Sequence, residues 1–209
     1  GSVYGVSDAP EVIESTPLVP ISDYNKTKMI AERVLLSHHW NTNIQIVRPA
    51  TVCGWSPRIR LDVMVNSFVI QALTKGVISY NGGEQYRPNI HIDDMTDLYV
   101  WLLERPNLTG IYNAGFENLQ IKDIAKMVAD ETGARIKPSE SNDPRSYRIN
   151  SDRLLEAGFK PKKNVMVAIH ELIKKYAEGK LKDSDECYNI RVLKKLQKAS
   201  VRTLFTGST

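Results

Sequence analysis

At 209 residues and 42% hydrophobic content, the chain can bury a core as one compact domain or two small interlocked ones, which excludes a disordered protein. No run of about 18 apolar residues occurs, and the N-terminal stretch lacks the basic-then-apolar layout of a secretory signal, so a soluble, cytoplasmic chain that engages no membrane is expected. The net charge of +4 is a tail property: residues 174–209 hold nine Lys/Arg against four Asp/Glu, which favours a solvated helical face over a nucleic-acid footprint.

In chain order, the three prolines of the first twenty residues suit an irregular connection. Ser22 is placed to cap a helix running to His38-His39, in which Ile30 and Val34, then Ala31 and Leu35, repeat at helical spacing. Ile44–Val47 alternates as a short buried strand ended by Arg48-Pro49. A helix over Asn66–Lys75 closes at Gly76, and a strand over Val77–Tyr80 reaches the Asn81-Gly82-Gly83 turn. Pro88–Ile92 reads as a strand, followed by a helix over Met95–Glu104 that Asp93 and Asp94 should cap. Ile111–Ala114 and Ala134–Lys137 read as strands on either side of a helix over Ile121–Thr132 stopped by Gly133. Ser151 opens a short helix that Gly158 closes, Val165 to Tyr176 carries one apolar stripe, and Tyr188–Leu204 is a last helix.

Alternating strands and helices predict an α/β fold with at least part of a parallel sheet. The Gly-rich strand-to-helix turn that cradles a pyrophosphate does not occur in the sequence. Cys53 and Cys187 lack metal-ligand spacing and read as ordinary thiols in a reducing compartment. His91 lies in an apolar strand pattern and reads as a core histidine, while His38-His39 near a helix end suit its last carbonyls, so no metal is expected.

Tyr24 and Lys28 lie four apart at the start of a helix and share one face. A phenol with an ordinary pKa of about 10 is a poor proton carrier at neutral pH, and a nearby ammonium favours the phenolate. The surrounding residues give the pair its meaning. The stretch Ser2-Val3-Tyr4-Gly5, then Glu14-Ser15-Thr16-Pro17-Leu18-Val19-Pro20, then Ser22-Asp23-Tyr24-Asn25-Lys26-Thr27-Lys28, then Ala31-Glu32, resembles the catalytic segment of extended short-chain dehydrogenases that act on nucleotide sugars. Arg48-Pro49-Ala50-Thr51-Val52-Cys53-Gly54 resembles that family's R-x-x-N-V-Y-G-P strand, and Arg87-Pro88-Asn89-Ile90-His91-Ile92-Asp93-Asp94 its R-D-F-I-H-V segment. Asn113-Ala114-Gly115 and Gly158-Phe159-Lys160-Pro161 resemble later marks, so the likeness covers about residues 2–178.

The resemblance implies part of a Rossmann sheet (residues 1–55 and 86–116) interleaved with a small α/β substrate domain (56–85 and 117–180) and followed by a basic helical tail (181–209). It implies NAD or NADP as cofactor and a nucleoside-diphosphate sugar as substrate, oxidised through a keto-sugar intermediate. Tyr24 would be the acid/base, and Lys28 would support it and hold the nicotinamide ribose, with Pro49 also at the cofactor. Arg87 would grip the nucleotide diphosphate, with Arg145 and Arg148 as further candidates for the same anion, and Asn66 and Thr51 would also meet the substrate. Ser2 stands at the catalytic position where the family's 4,6-dehydratases place a glutamate, which favours epimerisation or reduction over dehydration. Thr51 and Cys53 depart from the usual Asn and Tyr. A non-catalytic sugar-nucleotide-binding or assembly module is the alternative, and self-association or a homodimer is expected for either.

Overall fold

The computed structural model describes residues 2–5, 9–37, 42–141 and 146–206, without the side chains of residues 2 and 198–206. Arg145, Gly1 and His38-His39 therefore lie outside the described residues, as does the side chain of Ser2. Seven α-helices and seven strands alternate in the described part. They are α1 Asp23–Ser37, β1 Gln45–Pro49, β2 Thr51–Cys53, α2 Met64–Lys75, β3 Val77–Asn81, β4 Tyr86–His91 and α3 Ile92–Leu103. These are followed by β5 Gly110–Ala114, β6 Glu117–Gln120, α4 Ile121–Thr132, β7 Arg135–Ser139, α5 Asp152–Glu156, α6 Val165–Ala177 and α7 Asn189–Thr206.

The α/β class follows from the pairings. β1 runs parallel to β5, β2 parallel to β4, and β3 parallel to β7, while β6 alone pairs antiparallel, with β4. Parallel partners need a crossover, and the helices between them supply it. Two strands differ from expectation. β2 resumes pairing one residue after Pro49, and β6 (Glu-Asn-Leu-Gln) has no β-branched residue and only half-buried side chains, so neither has a periodicity to read.

One apolar cluster packs α2, α4 and α6 around Val65, Val69, Ile124 and Ile169, and a second packs α3 against β1, β4 and β5 around Leu98, Ile90 and Ala114. Gly76 and Gly133 take left-handed conformations and close α2 and α4, as their sequence positions predict. Ser22 Oγ accepts the Asn25 N–H at 3.2 Å, so the α1 cap is also as expected.

The cap of α3 is not. The ring of His91 accepts the Asp93 N–H on Nδ1 at 3.1 Å, leaving Asp93 and Asp94 in the first turn. Asp94 is thereby free to bond elsewhere. Nearly fully buried, it accepts the N–H groups of Lys162 and Lys163, both at 2.9 Å, and ties α3 to the chain before α6. Among the described residues no helix is long and apolar enough to cross a membrane.

Candidate active site

A buried polar network joins the N-terminal segment, α1 and the β1–β5 pair. Arg48 of β1 donates from Nε to Glu32 of α1 at 2.9 Å and from Nη1 to the Tyr4 hydroxyl at 2.8 Å and the Glu14 carbonyl at 2.9 Å. Tyr4 donates onward to Asn113 Oδ1 at 2.6 Å, and the Asn113 N–H donates to the Glu14 carboxylate at 2.8 Å. Burial works against charge on Arg48, yet the Glu32 carboxylate and the Tyr4 hydroxyl outweigh it and raise its pKa above the ordinary arginine value. Burial pushes the Tyr4 phenol above its usual range, so this tyrosine holds its proton. Gly5 turns the chain away with φ of 68°, where a Cβ would stand 1.8 Å from the Val19 carbonyl oxygen, and no other residue fits there.

Beside this frame lies a cavity of about 750 Å³. Tyr24, Lys28, Pro49, Thr51 and Asn66 all line it, so the structure brings together five residues that the sequence pointed to. Tyr24 is 66% exposed, and the Lys28 ammonium stands 5.4 Å from its ring centroid. That arrangement follows from α1 itself, which buries only Asn25 and Glu32 against the frame and leaves the face bearing residues 24 and 28 open. Among the described residues Lys28 pairs with no carboxylate.

Asn66 takes a supporting position. Its Oδ1 accepts the Gly54 N–H at 3.0 Å, and its Nδ2 donates to the carbonyls of Gly54 at 3.3 Å and Arg60 at 2.9 Å, so the amide braces the cavity loop. Gly54 must be glycine: with φ of 102°, its Cβ would meet His91 Nε2 at 2.8 Å. His91 is buried, and burial lowers its pKa despite the Glu171 carboxylate 3.3 Å from Nε2. That approach is out of line for a hydrogen bond and leaves Nε2 without one, so His91 is a core histidine satisfied on one nitrogen only. Cys53 is a buried thiol pushed up to about 12, chiefly by desolvation, and is chemically quiet.

Arg87 is not among the residues lining the cavity. Its Nη1 donates to the neighbouring Tyr86 carbonyl at 3.0 Å. Arg148 stacks over the Tyr86 ring at 3.9 Å. The cations that do share the wall with Lys28, besides the paired Arg48, are Arg58 and Arg60. The signal for them was the alternation in Arg58-Ile59-Arg60-Leu61-Asp62: Ile59 and Leu61 are buried in the core while the charged residues face out. Among the described residues no cluster of three or more His, Cys, Asp or Glu could hold a metal ion.

The sequence profile of the NAD dependent epimerase/dehydratase family matches residues 1–115, more than half of the chain. The chain belongs to this family. A probable UDP-arabinose 4-epimerase 3 of Arabidopsis thaliana is 29% identical over 160 residues, covering 65% of the chain and 39% of the relative. A UDP-glucose 4-epimerase of Lactobacillus helveticus is 27% identical over 190 residues, covering 77% and 57%. Among solved structures, the Bacillus cereus UDP-glucuronic acid 4-epimerase in complex with NAD and a UDP-sugar superimposes with a TM-score of 0.74 at 26% identity, covering 85% of this chain and 59% of that one. This epimerase/dehydratase chain thus spans about two fifths to three fifths of these relatives' length. The expected fold, part of a Rossmann sheet with parallel strands, is the fold of these neighbours.

Proposed function

We propose that this chain carries the acid/base and substrate side of an NAD- or NADP-dependent enzyme that oxidises a nucleoside-diphosphate sugar through a keto-sugar intermediate. The observation that carries the reading is the exposed Tyr24 phenol beside the Lys28 ammonium on the wall of a cavity that also holds Pro49, Thr51 and the Arg58 and Arg60 guanidiniums. The residues present fit the reactive end of such a cofactor, because a phenol and an ammonium without a described carboxylate partner can meet a ribose and a reacting hydroxyl together. When bound, the nicotinamide would supply the hydride acceptor. Tyr24 takes the proton from a sugar hydroxyl and can return it, and Lys28 stabilises the phenolate in between. Thr51, half-buried on the same wall, is in reach of the sugar side, and Asn66 acts by holding the loop.

Two interleaved domains are supported by the two larger of three apolar clusters, although Leu154 and Phe159 of the 117–180 range pack into the cluster of α3 and β5, and two free cysteines suit a reducing cytoplasm. Epimerisation or reduction is favoured over dehydration because the chain has serine at position 2. Self-association is supported by Val34, Leu36, Val100 and Leu103, which stay about half exposed or more; a clean monomer in light scattering contradicts it.

A thermal-shift series with UDP, UDP-glucose and dTDP-glucose tests the substrate class: a rise in Tm is expected for at least one, and no response to any contradicts it. Within the whole enzyme, Tyr24→Phe is expected to lower kcat by about 10²–10⁴-fold, and unchanged turnover overturns the assignment.

A further inference from the structure

α7 lies beyond residues 2–178, which carry the family likeness, and its ties to the rest of the molecule are at its start. The Asn189 N–H donates to Asp62 Oδ2 at 3.1 Å, and Asn189 Oδ1 accepts Arg58 Nη2 at 3.3 Å. Of the described α7 side chains only Asn189 and Val192 are half-buried, and the others are exposed. Asp185, just before the helix, pairs with Arg191 Nη1 through Oδ1 and with Lys195 Nζ through Oδ2, both at 3.0 Å. These two cations are four residues apart and share one face of α7. Leu193 is two residues from each, about 200° around the helix, and is therefore turned to the opposite side, away from the tether. Ile190, Leu193 and Leu196 are accordingly 64%, 58% and 60% exposed, a stripe of branched aliphatic side chains left open to solvent.

Charge selects what covers that stripe. Residues 189–209 hold Arg191, Lys194, Lys195, Lys198 and Arg202 with no Asp or Glu, and Lys194, four residues after Ile190, borders the stripe. A second copy of α7 would set cation against cation across the leucines, with no acidic side chain to relieve the repulsion. A nucleic acid would take the cations but has no use for exposed aliphatic side chains. A protein groove would have to match the stripe in shape as well as in charge. An anionic lipid surface needs no shape match and takes both features: the aliphatic side chains enter the boundary between headgroups and acyl chains, and the lysine and arginine stems keep their charges in the headgroup layer. We propose that α7 docks this chain on an anionic membrane surface. The helix lies in the plane of that surface, since among the described residues no helix is long and apolar enough to cross a membrane. The basic tail, expected from its sequence to be a solvated face, thereby gains a partner, whatever the cavity binds.

The test is co-sedimentation of the full chain with vesicles of phosphatidylcholine alone and of phosphatidylcholine with about one third phosphatidylglycerol, at about 0.1 M salt. The anionic vesicles are expected to take the chain down, and the neutral ones to bind it at least about tenfold more weakly. Leu193→Glu removes apolar contact and adds a negative charge, so it is expected to weaken anionic binding about tenfold or more, while Leu193→Phe keeps the contact and binds as the parent does. Lys194→Gln should cost about fivefold on the anionic vesicles. Both positions are exposed, so all three variants should melt with the parent chain. A parent chain that stays in solution with anionic vesicles overturns the proposal, and so does binding that Leu193→Glu leaves unchanged, because the contact then lies elsewhere. If vesicles stay unbound while Leu193→Glu dissolves an oligomer seen in light scattering, or abolishes binding to an acidic amphipathic peptide, the stripe belongs to a second copy or to a protein partner and the membrane assignment falls.

Discussion

Two groups of polar residues lie side by side in this molecule and are built in opposite ways. In the frame, Tyr4, Glu32, Arg48 and Asn113 are each under a tenth exposed and are hydrogen-bonded to one another across four segments. On the cavity wall, Tyr24 is 66% exposed, and among the described residues Arg58 and Arg60 each spend one donor, on Asn189 and Asp62. Both groups include a tyrosine with a cation close by: Arg48 stands 5.0 Å from the Tyr4 ring centroid, and Lys28 stands 5.4 Å from that of Tyr24. The difference is burial. Desolvation and full pairing turn the first tyrosine into a fixed donor, while exposure leaves the second able to meet a ligand. A tyrosine beside a cation therefore names a proton carrier only where the pair faces a cavity.

The largest effect should come from breaking the frame. Arg48→Ala leaves Glu32 buried without its partner and is expected to cost about 3–5 kcal/mol of folding free energy, measured by urea denaturation. A loss below about 1 kcal/mol, the range of an exposed pair, would erase the contrast. Asn66→Ala comes next. It strands the Gly54 N–H and two carbonyls beneath the cavity loop and is expected to cost about 1–3 kcal/mol.

A smaller difference depends on pH. His91 has a folded pKa below its ordinary 6.5 because burial disfavours the imidazolium. Above pH 6.5 both states are neutral at this site; as pH falls through 6.5 the unfolded chain takes up a proton that the folded one refuses, so stability declines. His91→Asn keeps an acceptor for the Asp93 N–H and removes the titration. Its Tm is expected to fall less steeply than the parent's between about pH 7 and 5.5, and parallel curves would remove His91 from the acid response. The smallest effect belongs to the wall. Tyr24→Phe should shift stability by no more than about 0.5 kcal/mol, since its side chain is largely exposed.

The helices, their glycine stops and the Tyr24–Lys28 face were legible because helical periodicity, caps and i to i+4 spacing are local properties. The short strands β2 and β6 were not, since backbone pairing with β4 defines them and their side chains carry no period of two. Local spacing also could not separate frame from wall. Arg48 and Glu32 are 16 residues apart, and Asn189 reaches Arg58 across 131, so both contacts exist only once the chain has folded. For the same reason Arg58 and Arg60 do not stand out in the sequence. Their alternation with Ile59 and Leu61 is readable, but the cavity it faces is assembled from α1, β1, β2 and the start of α2.

Tyr24, Lys28 and the guanidiniums of Arg58 and Arg60 line one cavity, and the proposed function requires that cavity to take a nucleotide sugar. A crystal structure of the chain with UDP-glucose tests it most directly. A sugar hydroxyl is expected about 3 Å from the Tyr24 phenolic oxygen, with the nucleotide inside the cavity. Nucleotide bound at Arg87, outside the cavity, would contradict it.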